Sequence, residues 1–410
     1  MKKTKLVASL LCVATMGNAQ NLSGTWTGTL DAGAVKLNLV FRLQKDATGK
    51  EYCLMDSPDQ GVKGVPTQLV YVSPDSLNVD IRKIGAKYSG KLEGSTIRGT
   101  FEQMGQRLPL NLENKVLTYN RPQHPVPPFP YTTEEVTFEN KAAKATLAGT
   151  LSYPVGYRQG DRVPVVLMVT GSGPEDRDEN IFEHKPFLVI ADYLARHGIA
   201  TLRYDDRAVG KSTGERVTAN TKEVADDAKA GVAFLRKMDR FSQVGVLGHS
   251  EGATVAFMLG AEELIDFAVS MAGVGVTGGE CLFAQVQKAM ERMGQPFTMN
   301  KEQYVETLLK NGNPWMAYFL KYDAAPDIQQ TTCPVFALNG EKDVQVVADL
   351  NLPGIEKNLP RNAKSKIKRY PGLNHLFQQC TKGDVEEYIH IEQTISPEVL
   401  QDVAEWIRTL

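Results

Sequence analysis

What this sequence has little of narrows it first. Beyond its opening residues no stretch reaches the roughly 18 consecutive apolar positions that a membrane-spanning helix requires. The formal net charge of -2 leaves no excess of Lys and Arg to follow a phosphate backbone, which argues against nucleic acid as a partner. The basic cluster at 364–369 alternates with apolar residues and reads as a solvated strand face. Cysteine is sparse, five in 410 residues, with no CxxC pair and no metal-type spacing, so no metal is implied. Cys53, Cys281, Cys333 and Cys380 lie far apart and are expected to be free buried thiols. Histidine is nearly as sparse, six in all, which shortens the search for a catalytic base.

At the start, Lys2, Lys3 and Lys5 precede an apolar run over 6–16, and Gly17, Asn18 and Ala19 offer small residues before Gln20. This pattern predicts a secretory signal peptide over 1–19 and export to the periplasm or medium. A lipid anchor on Cys12 is the competing expectation, opposed by the bulk of Leu11.

From residue 20 to 118 short runs alternate apolar and polar positions between Gly, Asp, Asn and Pro turns, as at 35–43 and 68–72. This predicts a small antiparallel β domain, and Gly24-Thr25-Trp26 resembles the opening of a lipocalin-type barrel. Pro122, Pro125, Pro127, Pro128 and Pro130 then predict a stiff linker over 119–131. Over 132–410 helical and strand patterns alternate, which implies a mostly parallel sheet with helices on both faces. A helical excursion, about 276–328, interrupts the alternation and is expected to cap the sheet.

Three glycine motifs invite chemistry. Gly248-His249-Ser250-Glu251-Gly252 stands between an apolar strand (Val244, Val246, Leu247) and an apolar helix, the context that lifts a serine oxygen clear of a sheet edge. Gly210-Lys211-Ser212-Thr213-Gly214 has the same letters but polar flanks, and is expected to be a surface loop. Gly273, Gly275 and Gly278 match a dinucleotide fingerprint but lack the second strand and its acidic end, so no cofactor is expected there.

A serine hydroxyl needs an imidazole to take its proton and a carboxylate to hold that imidazole's tautomer. His124 falls in the proline-rich stretch, His184 and His197 precede the serine, His249 is held in the turn itself, and His390 lies in an apolar run. His375 follows the last predicted strand in a turn-rich loop and is the best base. Asp343 follows the strand at 335–339, with Glu341 and Asp349 as alternatives, and the order Ser250, Asp343, His375 suits an α/β-hydrolase. The oxyanion donors are expected to be the backbone N–H groups of Glu251 and Ser172, the latter in Thr170-Gly171-Ser172-Gly173-Pro174. Phe283, Trp315, Tyr318 and Phe319 are the aromatic candidates for a substrate pocket. Glu175, Asp176 and Asp178, with Arg177 among them, are expected to form a solvated loop.

The stretches 170–179 (TGSGPEDRDE), 203–214 (RYDDRAVGKSTG), 248–252 (GHSEG), 314–322 (PWMAYFLKY), 339–346 (NGEKDVQV) and 373–378 (LNHLFQ) together resemble secreted two-domain bacterial α/β-hydrolases of the EstD-like carboxylesterase type. The resemblance implies Ser250, Asp343 and His375 as a triad. It also implies a small ester substrate, an acyl-enzyme route through Ser250 and no metal or organic cofactor. Thr170 stands where many α/β-hydrolases have histidine. The expected activity is hydrolysis of short-acyl esters; a peptidase or amidase with the same triad, and a non-catalytic envelope-binding protein, are the rivals.

Overall fold

The computed structural model describes residues 22–33, 35–73, 75–215 and 220–410; the expected signal peptide over 1–19, with Cys12, lies outside them. The chain divides into two compact units, Met1–Thr118 and Tyr119–Leu410.

Among the described residues the first unit is a nine-stranded antiparallel sheet: β1 Gly24–Asp31, β2 Lys36–Lys45, β3 Glu51–Ser57, β4 Val62–Pro66, β5 Gln68–Ser73, β6 Ser76–Ile81, β7 Ala86–Glu93, β8 Thr96–Gln103 and β9 Gln106–Asn114. Its order, β4-β3-β2-β1-β9-β8-β7-β6-β5, is an up-and-down winding in which β1 pairs with β9 and a seam remains between β4 and β5. The period-2 pattern explains it. In β6, Leu77, Val79 and Ile81 are buried while Ser76, Asn78 and Asp80 between them are half-buried. Phe41 and Tyr88, with ring centroids 5.1 Å apart, fill the core.

The second unit carries an eight-stranded sheet of order β10-β11-β13-β12-β14-β15-β16-β17, the arrangement of an α/β-hydrolase. Its strands are β10 Thr133–Asn140, β11 Ala145–Ser152, β12 Val163–Val169, β13 Ala200–Tyr204, β14 Phe241–His249, β15 Phe267–Met271, β16 Val335–Gly340 and β17 Lys366–Tyr370. The first two are antiparallel and the rest parallel. Central strands such as β15 and β16 are buried along their whole length, because helices cover both faces. One apolar layer includes residues of α2 (Thr221–Lys237), α3 (Glu251–Ala261), α7 (Ala325–Gln330) and α8 (Ala348–Asn358); the other includes α1 (Pro186–Arg196) and α9 (Pro397–Arg408). Between β15 and β16 the chain inserts α4 (Gly278–Arg292), α5 (Lys301–Asn311) and α6 (Pro314–Lys321). Ile328 of α7 already belongs to the main core, so the insertion ends before it.

Residues 119–131 belong to this second unit. The Arg121 guanidinium donates to the carbonyls of Phe182 (3.1 Å), Ile389 (2.8 Å) and Ile391 (2.9 Å), and Gln123 brackets Thr394 and Ile395. A stretch whose prolines suggested a spacer is therefore tied down by the polar residues among them.

Candidate active site

Parallel strands deliver their following loops to one sheet edge. The loops after β12, β14, β16 and β17 bring Ser172, Ser250, Asp343 and His375 there. Ser250 occupies the single residue between β14 and α3, at φ 54° and ψ -115°. That left-handed backbone costs a non-glycine residue about 1–3 kcal/mol and is held by close packing. Its N–H donates to Met271 O at 2.8 Å. The flanking glycines are sterically required: a Cβ on Gly248 would lie 1.9 Å from Gly252 O, and one on Gly252 2.1 Å from Val169 O.

His375 Nδ1 meets Asp343 Oδ2 at 2.7 Å, and both side chains are buried. The other Asp343 oxygen accepts the N–H groups of Gln345 (2.8 Å) and Val346 (2.9 Å), so the carboxylate is fixed as an acceptor. Nδ1 then keeps the proton, and Nε2 is left for the cleft that His375 lines together with Ser250. The alternative acids are engaged elsewhere: Glu341 accepts from Gly372 N, and exposed Asp349 pairs with Arg369.

The cleft has a volume of about 540 Å³. Ser172, Glu175, Glu251 and Gln345 line it on the loop side; Leu282, Val286, Tyr304, Leu308, Trp315 and Phe319 of the helical insertion line it on the other. Gly171 N–H is already bound to Glu179 Oε1 at 2.9 Å and is therefore engaged, while the next residue, Ser172, lines the cleft. Cys281 also lines the cleft, but burial pushes its thiol up to about 12, far from a reactive thiolate.

Several expectations require correction. Tyr318 is not among the cleft residues; it stacks on Tyr322 with centroids 6.2 Å apart. Phe283 packs with Phe297 and Tyr304, inside the insertion. Trp315 is more than apolar wall, because its indole N–H donates to the Glu251 carboxylate at 2.8 and 2.9 Å.

The loop from Glu175 to Asp178 is not simply solvated. Arg177 binds Asp205 with two nitrogens (3.0 and 2.8 Å) and reaches Glu135, while Asp178 pairs with Arg203 and Lys185. Glu175 faces the cleft, where burial and the nearby Glu179, Asp206 and Asp176 carboxylates push its carboxyl up to about 8. Half-buried Asp206, which accepts the Glu175 N–H at 2.9 Å, is pushed up to about 7 mainly by loss of solvent.

Ser212 was expected on a surface loop and is instead buried. Its hydroxyl donates to Asp205 O at 2.7 Å and accepts from Ala148 N at 2.9 Å, so it stitches the loop to β11. The polar flanks that suggested exposure are consumed inside, with Arg207 bound to Asp227 at 2.8 and 3.0 Å. The glycines of the false dinucleotide fingerprint serve packing, since a Cβ on Gly275 would strike Asn351 O at 2.1 Å.

The other histidines are structural in their contacts. His184 lies buried between Thr394 Oγ1 and Tyr388 O, its basicity lowered to about 4 by burial. His124 Nε2 accepts from Lys185 N, and His197 stacks on Tyr193. His249 is different and was missed: its ring lies between Glu179 and the backbone of His375. The sequence held a signal for it only in that Glu179 closes the TGSGPEDRDE stretch. The four later cysteines are free, as expected, but only Cys53, Cys281 and Cys380 are buried; Cys333 is half-buried.

Residues 184–311 match a family profile described as serine aminopeptidase, S33. The chain is 27% identical over 293 residues to Esterase EstD of Thermotoga maritima, a match that spans 68% of this chain and 70% of that protein. Among solved structures, an esterase of Pyrococcus furiosus is similar at a TM-score of 0.48 and 18% identity, over 72% of this chain and 99% of the other. Est1E of Butyrivibrio proteoclasticus is similar at 0.47 and 16%, over 67% and 98%. The likeness to EstD bears out the resemblance read from the motifs.

Proposed function

We propose that this chain is an exported carboxylesterase-type serine hydrolase that works through an acyl-enzyme on Ser250. The observation that carries the reading is the elbow serine sharing one cleft with a buried, 2.7 Å Asp343–His375 pair. The similarity to Esterase EstD supports an ester as substrate, and the lysine-flanked apolar run before residue 20 supports export.

In this mechanism Ser250 Oγ attacks the ester carbonyl as His375 Nε2 takes its proton, and Asp343 stabilises the resulting imidazolium. The N–H groups of Ser172 and Glu251 receive the oxyanion, the latter at the positive end of α3. His375 returns the proton to the departing alcohol. Water then repeats the sequence on the acyl-enzyme, releasing the acid and restoring Ser250. Helices α4 to α6 act as a cap, with Trp315 and Phe319 forming part of the acyl wall. Short-acyl esters fit a 540 Å³ cleft with space remaining, so a chain-length series decides the optimum.

A second reading, an aminopeptidase, is favoured by one observation: Glu175 presents a carboxyl to the cleft beside the oxyanion loop. The test is kcat/KM for acetyl and butyryl esters against aminoacyl amides, with Ser250→Ala as the control. Ester turnover that disappears in that variant supports the proposal; faster amide turnover that is lost in Glu175→Ala replaces it with the peptidase.

A further inference from the structure

Behind Ser250 lies a buried acid and base that the proposed chemistry leaves unused. Glu179 is 2% exposed and His249 is 5% exposed. Glu179 Oε1 accepts the Gly171 N–H at 2.9 Å and meets His249 Nδ1 at 2.9 Å; His249 Nε2 lies 3.0 Å from His375 O. Each end of this chain of contacts is a loop of the candidate site. Gly171 precedes the oxyanion donor Ser172, His249 precedes the nucleophile, and His375 is the base itself.

We propose that Glu179 and His249 are a positioning pair, which holds the oxyanion loop and the His375 backbone against the nucleophile turn through these three hydrogen bonds. The inference rests on the reading of Ser250 as nucleophile.

Proton counting gives the pair its character. The carbonyl of His375 can only accept, so Nε2 must donate to it. Glu179 Oε1 already accepts from Gly171, and an ionised carboxylate there also takes a proton from Nδ1. The ring therefore donates from both nitrogens and is an imidazolium. Burial opposes that charge, but the Glu179 carboxylate, through its charge and hydrogen bond, together with the His375 carbonyl, holds the ring above the usual histidine value. The other charged or titratable groups facing it are Glu175, Asp343 and His375, whose ring centroid is 4.7 Å away. Backbone geometry agrees: Glu179 stands at φ 53°, a left-handed conformation unfavourable for a side-chain-bearing residue, and it aims the carboxylate inward.

The isosteric variant Glu179→Gln tests the proposal. With a neutral amide at this position the imidazole loses its extra proton, and a neutral ring can donate only once, so one of the three contacts must fail. We expect kcat on an activated ester to fall about tenfold to a hundredfold, since small misplacements of reacting groups have effects of that size. KM should stay within about twofold. With the positive ring beside His375 gone, the acid limb of kcat/KM against pH should move to higher pH.

A lower Tm with unchanged kcat per titrated active site and an unchanged pH profile would make the pair merely structural and overturn the proposal. Should the variant fail to fold, the native protein still answers. With 15N-labelled histidine, one buried ring should keep protons on both nitrogens to higher pH than an ordinary histidine does. Finding none doubly protonated also overturns it. Ser250→Ala separates the two ideas, because retained turnover there defeats the nucleophile assignment itself, whereas full activity of Glu179→Gln beside an inactive Ser250→Ala defeats only the pair.

Discussion

The indole of Trp315 on α6 donates to the side chain of Glu251, the residue whose backbone N–H stands next to Ser250. Thr221 Oγ1 donates to the same carboxylate at 2.5 Å, so one buried side chain joins the helical insertion, α2 and the nucleophile turn. Trp315→Phe keeps an aromatic wall but removes a hydrogen bond to a charged acceptor, worth about 1.5–3 kcal/mol. Steady-state kinetics should show KM rising several-fold with kcat changed little. An unaltered KM would mean that the bond does not shape the cleft.

The two serines of G-x-S-x-G pattern should separate cleanly. Ser250→Ala should abolish labelling by a fluorophosphonate probe. Ser212→Ala should label normally yet lose about 1–3 kcal/mol of stability, because Ala148 N and Asp205 O lose their buried partner. Denaturant unfolding beside the labelling gel reads both effects.

Asp343→Asn should lower kcat by about 10⁴-fold by disturbing the tautomer of His375, and His375→Ala by about three orders of magnitude or more. Asp349→Ala should be close to neutral, since that side chain is 80% exposed and its pair with Arg369 is a surface one. Near-native turnover in Asp343→Asn would move the acid to another residue.

Glu175 makes stability depend on pH. Its carboxyl is raised to about 8 in the folded protein, against an ordinary value near 4.5 when unfolded. The folded state thus holds a proton that the unfolded chain releases. The stabilisation is complete below the unfolded value and is lost as pH rises through 8. Glu175→Gln removes the titration, so its Tm advantage over the native protein should grow between pH 5 and pH 8 and then level off. A constant difference across that range would show that Glu175 ionises normally.

The second unit should hold the whole candidate site. A protein beginning at Tyr119 is expected to fold and react with a small activated ester. One beginning at residue 132 lacks Arg121 and Gln123, with their bonds to Phe182, Ile389, Ile391 and Ile395, and should have a lower Tm. Equal melting temperatures would show that residues 119–131 contribute nothing to this unit.

Periodicity and punctuation by themselves determined much of this protein. Alternation at period 2 marked the N-terminal sheet, continuous apolar runs marked the buried parallel strands, and the glycines of the 248–252 turn are legible because only Cα hydrogens fit between those backbones. Chain order and turn residues also placed Asp343 and His375 on one sheet edge, since every parallel strand ends there. Only the tertiary structure decided which polar residues would be buried. Hydropathy records a side chain's preference for water and not the partner that replaces it, so Ser212, Arg177 and Asp178 read as surface although the fold binds each of them. The Glu179–His249 contact joins a loop residue to the end of β14, 70 positions apart, and no local spacing encodes it. The same holds for Tyr318 and Trp315, three residues apart on one short helix, where the direction the insertion faces sent the first to Tyr322 and the second to Glu251.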